Sequence, residues 1–165
     1  SWSDAKEWWK ESACTAYTLG WTSGDGGKFN PTGTLTRAQL AVAAASVLGL
    51  EADSSSLSTY TDASKVPEWA KGAMGAMVTA KLMGQGGIKT LRPNEGAIKP
   101  EVITVLNAQV DYAEEEGIDV LEVAATRLDV DVETLQEALD TGMTVVYGAL
   151  VAVDEPAGEE EVEEE

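Results

Sequence analysis

Two stretches of this sequence set out the same residues in the same order, which limits the fold to one supersecondary unit used twice. The first runs from Trp2-Ser-Asp4 through Trp8, Gly20 and Gly24-Asp-Gly-Gly27 to Phe29-Asn-Pro31 and Leu35-Thr-Arg-Ala-Gln39. The second runs from Tyr60-Thr-Asp62 through Trp69 and Gly84-Gln-Gly-Gly87 to Leu91-Arg-Pro93 and Ala97-Ile-Lys-Pro-Glu101. Pro31 pairs with Pro93, Arg37 with Lys99, Gln39 with Glu101 and Leu40 with Val102, all 62 residues apart.

Each copy reads as helix, glycine-rich loop, helix. In the first, Trp8 to Leu19 is a short helix and Gly20 to Gly33 a loop. Arg37 to Leu50 follows as a longer helix with Leu40, Ala44, Val47 and Leu48 at helical spacing. Thr36 and Gln39 have the spacing of a capping box, in which hydroxyl and amide each satisfy one orphan backbone N–H. A Ser/Asp-rich linker, Glu51 to Thr59, leads to the second copy, with helices over Trp69 to Leu82 and from Lys99 towards Glu116, where Gly117 stops it. Ile98 replaces the capping threonine there, so one cap bond is missing. Behind the repeats, Val120 to Leu128 and Val132 to Leu139 read as two short helices, the second capped by Asp131 and closed by Gly142. Periodicity leaves Val145 to Val153 open between a strand and a buried extended segment.

This order of features resembles the S-layer homology module, over roughly residues 1–112. The resemblance implies a mostly α fold of tandem helix–loop–helix modules packed together, with a divergent helical C-terminal third. It divides the chain into a first module at residues 1–57, a degenerate second at 58–112, a divergent lobe at 113–153 and an acidic tail at 154–165. It further implies noncovalent anchoring at the cell surface, outside the cell, by binding an acidic secondary cell-wall polysaccharide or a peptidoglycan-linked glycan. A protein-interaction or assembly module on the same scaffold is the alternative. Members of the family commonly use three modules, so a third lobe comes from residues 113–153, from another molecule in a homo-oligomer or a partner chain, or is missing.

The candidate ligand residues follow from chemistry and from the resemblance together. Arg37 stands in the first turn of a helix, where a cation opposes the helix dipole by a few tenths of a kcal/mol. Beside free first-turn N–H groups its guanidinium makes an anion receptor, able to grip a carboxylate with two parallel hydrogen bonds. On this reading Arg37 is a surface residue whose loss leaves stability nearly unchanged. In the second copy Lys99 keeps the charge without the fork. Gln39 and Glu101 accompany these cations, and the resemblance places Gly24 and Gly26 on the loop that lines the groove. Trp8 and Trp69, at equivalent places, read as shared core. Trp9 and Trp21 align with Ala70 and Leu82, so no shared packing explains them, and Trp21 is the preferred platform for a sugar ring. Asp4 and Asp62 read as turn or helix-start residues.

Other functions lose support on composition. The net charge is −18, but residues 1–110 balance ten basic against ten acidic side chains, and the whole excess lies in residues 111–165. Nucleic acid is therefore no expected partner, because phosphate binding needs a basic surface. With no histidine, His-based acid–base catalysis and His-ligated metal are excluded, and no enzyme, cofactor or metal is expected. Asp129, Asp131 and Glu133 alternate, yet the twelve-position calcium loop is absent and a helix cap explains them. Cys14 is the single cysteine and forms no internal disulfide. The longest apolar run, Met143 to Val153, is too short to span a bilayer. Opening on Ser1 without a leader pattern, the sequence reads as a processed piece of a larger protein. Eight acids among the last twelve residues predict a disordered tail.

Overall fold

The structure is a computed structural model that describes residues 9–22, 28–84, 87, 89–141, 143–146 and 149–152. It is mainly α-helical: α1 Lys10–Thr18, α2 Arg37–Leu48, α3 Glu68–Thr79, α4 Lys99–Glu116, α5 Val120–Leu128 and α6 Val132–Thr141. Two short 3₁₀ turns, Ser55–Thr59 and Ala63–Lys65, precede α3. The repeat is visible in the backbone. α2 and α4 begin 62 residues apart. Asn30 and Arg92, also 62 apart, both hold a positive φ, at 54° and 52°.

The start and stop of α2 follow from its sequence. Thr36 Oγ1 accepts from the Gln39 N–H at 3.2 Å, and Gln39 Oε1 accepts from the Thr36 N–H at 2.9 Å, closing the box. Gly49 ends the helix at φ 63°, and a Cβ there would stand 2.8 Å from Val123 Cγ1, so glycine serves both the left-handed turn and the approach of α5. At the head of α4 an isoleucine side chain offers no acceptor, and the Glu101 carboxylate alone returns a bond to the Ile98 N–H, at 3.1 Å.

The main core lies between α2, α3 and α4. Ala41, Ala44 and Leu48 of α2 meet Ala70, Met74 and Met77 of α3, and Val105 of α4 closes the cluster. The methionines are fully buried, each contributing about 1.5–3 kcal/mol of transfer free energy. Inside, Gln109 Nε2 of α4 donates to the Ala44 carbonyl at 3.2 Å. The linker is docked as well. Leu57 enters this core, and the Asp53 N–H donates to the Gly72 carbonyl at 3.1 Å. The second packing glycine is Gly75, where a Cβ would fall 1.9 Å from the Asp53 carbonyl oxygen.

Trp69 corrects the sequence reading. The inward stripe of α3 is Ala70, Met74 and Met77, so its neighbour Trp69 points outward and is 61% exposed. Trp8, its counterpart, lies outside the described residues. α4 likewise leaves a face open, with Ile103, Leu106 and Val110 exposed.

Residues beyond α4 pack back onto the first copy. Asp119 caps α5 by accepting from the Leu121 and Glu122 N–H groups. Asp131 caps α6 by accepting from the Thr134 N–H and hydroxyl. Asp129 ends α5 in the left-handed region, so the alternating acids are helix-boundary residues. Among the described residues no acidic cluster has the arrangement to hold a metal. Ala124, Ala125, Leu135 and Ala138 bury against Leu19, with Trp21 packed on the same cluster. The Arg127 guanidinium donates to the Ser46 carbonyl on α2. Met143–Val146 and Ala149–Ala152 pair as an antiparallel hairpin, β1 and β2, which settles the segment left open by periodicity as strand over those residues. Gly142 and the acidic tail lie outside the described residues, and among those described no helix is long and apolar enough to cross a membrane.

Gly75→Ala should lower stability by about 2 kcal/mol or more, since backbone rather than a flexible side chain occupies the space. Trp69→Ala should shift it by no more than about 0.5 kcal/mol. Denaturant unfolding of the two variants beside the parent chain checks both.

Candidate functional site

The two copies meet where the strand-like leads into α2 and α4 cross. Thr36 and Gly96 form an antiparallel bridge. The Arg37 N–H donates to the Glu95 carbonyl at 2.9 Å, and the Ala97 N–H returns a bond to the Leu35 carbonyl at 2.8 Å. The Ala38 N–H donates to the Pro93 carbonyl at 2.9 Å. With the Gln39 N–H held by Thr36, the first-turn donors of α2 are spent inside the protein. That corrects the expectation of free N–H groups beside Arg37.

Arg37 itself is turned inward and only 8% exposed. Its Nε donates to the Leu91 carbonyl at 2.6 Å, and Nη1 pairs with Glu101 Oε1 at 2.8 Å. The solvated first-turn arginine of the sequence reading is thus a cross-link between copies. Its removal would take this donor from the buried Leu91 carbonyl and one of two arginines from Glu101. Glu101 also accepts from Arg92 Nη2, and Arg92 Nη1 reaches Glu95 Oε2 at 3.4 Å. Burial alone would raise the Glu101 carboxyl, but the Ile98 N–H and the charges of Arg37 and Arg92 outweigh it and hold it below its ordinary value of 4.5.

A second clamp anchors the loop that carries Arg92. Asp62, buried at the start of the second copy, accepts from the Leu91 N–H at 2.9 Å and the Arg92 N–H at 2.8 Å. Burial pushes its carboxyl up, and these two N–H bonds, helped by Lys65, bring it below the ordinary 3.8. Asp62 therefore fixes the positive-φ turn at Arg92, a turn-residue role as the sequence suggests. Leu91 and Pro93 on either side are fully buried.

The structure gathers Arg37, Gln39 and Glu101 at this junction, with Lys99 exposed at the first position of α4. It does not gather Trp21 there. That ring sits half-buried against the cluster of Leu19, Ala124, Ala125, Leu135 and Ala138, and its buried indole N–H finds no acceptor among the described residues. Trp9 stacks on Phe29 with ring centres 5.1 Å apart. Gly24 and Gly26 lie outside the described residues. Sequence reasoning missed Arg92, whose side chain is 42% exposed and which is the more accessible of the two junction arginines. The signal was its alignment with Asn30, a residue type that favours the left-handed region.

Arg37→Ala should cost about 2–3 kcal/mol, the range for a hydrogen-bonded charge removed from a buried site, and Arg37→Lys should recover only part. Denaturant midpoints at neutral pH test this. The depressed Asp62 and Glu101 carboxyls also set a pH dependence. Their stabilisation is fully present above the ordinary values of 3.8 and 4.5 and is lost as pH falls through the lower folded-state values. Asp62→Asn should therefore be less stable at neutral pH, and its deficit should shrink on acidification below about pH 4.

Comparison with known proteins agrees with the repeat. No curated protein matches the chain. Residues 3–41 and 59–99 match the model of the S-layer homology domain. Modules of that family anchor proteins at the cell surface and cell wall and are not catalytic. The doubled helix–loop–helix unit is accordingly two tandem S-layer homology modules, matched at residues 3–41 and 59–99.

Proposed function

We propose that this chain attaches noncovalently to an acidic cell-wall polysaccharide, with the junction between its two modules as the contact. The observation that carries the reading is a pair of tandem anchoring modules joined where one arginine, Arg92, stays accessible. Arg92 takes the sugar carboxylate through its planar fork. Arg37, largely enclosed, acts from behind by holding Glu101, which orients Arg92. Gln39 and Lys99, exposed at the heads of α2 and α4, add donors along the same edge. Gly24 and Gly26 stay candidate ligand contacts on the family likeness alone. A sugar's apolar face needs an open indole, and Trp69 supplies more open surface than the half-buried Trp21.

The junction sets two arginines against Glu95 and Glu101, so an incoming carboxylate competes with internal ones. That favours exchangeable attachment and sensitivity to salt, since exposed ion pairs are screened. A second reading, assembly through protein contacts, is favoured by the open apolar face of α4.

Retention on purified cell walls, with and without their polysaccharide, tests the proposal. Arg92→Ala should weaken retention by about tenfold or more, the equivalent of one charge-assisted hydrogen bond. Trp69→Ala should weaken it with no change in fold. Equal retention by a folded Arg92→Ala variant, measured near half-saturation, or binding to walls stripped of polysaccharide, would favour assembly instead.

A further inference from the structure

We infer that the open face of α4 is a self-association surface, on which a second copy of this chain packs its own α4 in antiparallel orientation. Ile103, Leu106 and Val110 are 57%, 50% and 58% exposed, and their spacing puts them on one helical stripe. Lys99 stands on that stripe one turn before Ile103, and Glu114 one turn after Val110, both exposed. The stripe therefore reads cation, three branched apolar residues, anion.

The first copy shows what this face does when it is covered. The residues 62 positions earlier are Ala41, Ala44 and Leu48, all buried in the core shared with α3. Two alanines there suit the close approach of α3. On α4 the same positions hold isoleucine, leucine and valine, which suit interdigitation with residues of their own size, as in a helical seam. Nothing among the described residues of this chain covers them.

Charge selects both the partner and the direction. A parallel copy would bring together the acidic ends of α4, Asp111 and Glu114 to Glu116. An antiparallel copy centred beside Leu106 sets Lys99 against Glu114 of the other copy twice, and Ile103 against Val110 twice. Such a contact is isologous and closed, so it yields a dimer rather than a filament. Helix dipoles are also opposed in that arrangement. One helix pair is small beside a standard interface, so the dimer is weak and concentration-dependent.

Sedimentation velocity on the full chain, from micromolar concentrations up to about 1 mM in about 0.15 M salt, tests the inference, because that salt screens repulsion between the acidic chains. The parent chain should pass from monomer to dimer. Leu106→Glu, at a half-exposed position, should remove association while its circular dichroism and melting curve stay those of the parent. Lys99→Glu and Glu114→Lys should each weaken association by several-fold to about tenfold. An equal mixture of those two variants should regain it, because every facing pair is then opposite in sign. A parent chain that stays monomeric throughout, or association that Leu106→Glu leaves intact, overturns the inference. Single charge variants that associate like the parent, or a mixture that fails to recover, overturn the antiparallel register.

Discussion

The rest of the structure depends on one carboxylate, Glu101, held by arginines that arrive from both copies of the repeat. Arg37 reaches it from the head of α2 and Arg92 from the loop before α4, while the Ile98 N–H takes its second oxygen. A carboxylate with three donors is charged and fixed, and it fixes them in turn. Because Arg37 also binds the Leu91 carbonyl, the head of one long helix is tied to the loop of the other. The bridge at Thr36 and Gly96 and the shared core of α2, α3 and α4 then have one register available to them. Two units that would each be small for a stable core are thereby one folded body.

The same arrangement separates support from exposure at the junction. Arg37 stands with its charge compensated and its donors engaged, and Asp62 sets the backbone of the loop above it. Arg92 is left at the rim. A rim charge backed by a rigid, satisfied layer is pre-organised, so the ligand proposed for it would meet little ordering cost. The acidic excess of the chain begins behind α4's midpoint and continues through α5 and α6. Those helices pack on α1 and α2 of the first copy, where Arg127 meets Ser46 and Val123 meets Gly49.

What the sequence disclosed was local and periodic. The repeat, the capping box at Thr36, the missing cap at Ile98 and the stop at Gly117 each depend on a few neighbouring residues, and the structure has them. Side-chain direction across the fold was harder to read. Trp69 and Ala70 are adjacent, and only the packing stripe of α3 decides which one is buried. Arg37 looked like a surface ligand because a first-turn arginine is ordinarily solvated, and the Leu91 carbonyl that draws it inward is 54 residues away. Trp21 lacked a partner in the repeat because its partners come from α5 and α6, which the repeat does not contain. Long-range satisfaction of polar groups leaves no periodic trace, and at this junction it decides which arginine is accessible.

If Arg37 and Glu101 join the modules by direct interaction, a double-mutant cycle on stability reads the coupling between them. Unfolding free energies of the parent chain, Arg37→Ala, Glu101→Ala and the double variant would be measured at neutral pH. Direct interaction gives a coupling of about 1–3 kcal/mol, with the double variant much less destabilised than the two single losses together. Losses that add to within about 0.5 kcal/mol would contradict it, showing that each side chain acts without the other.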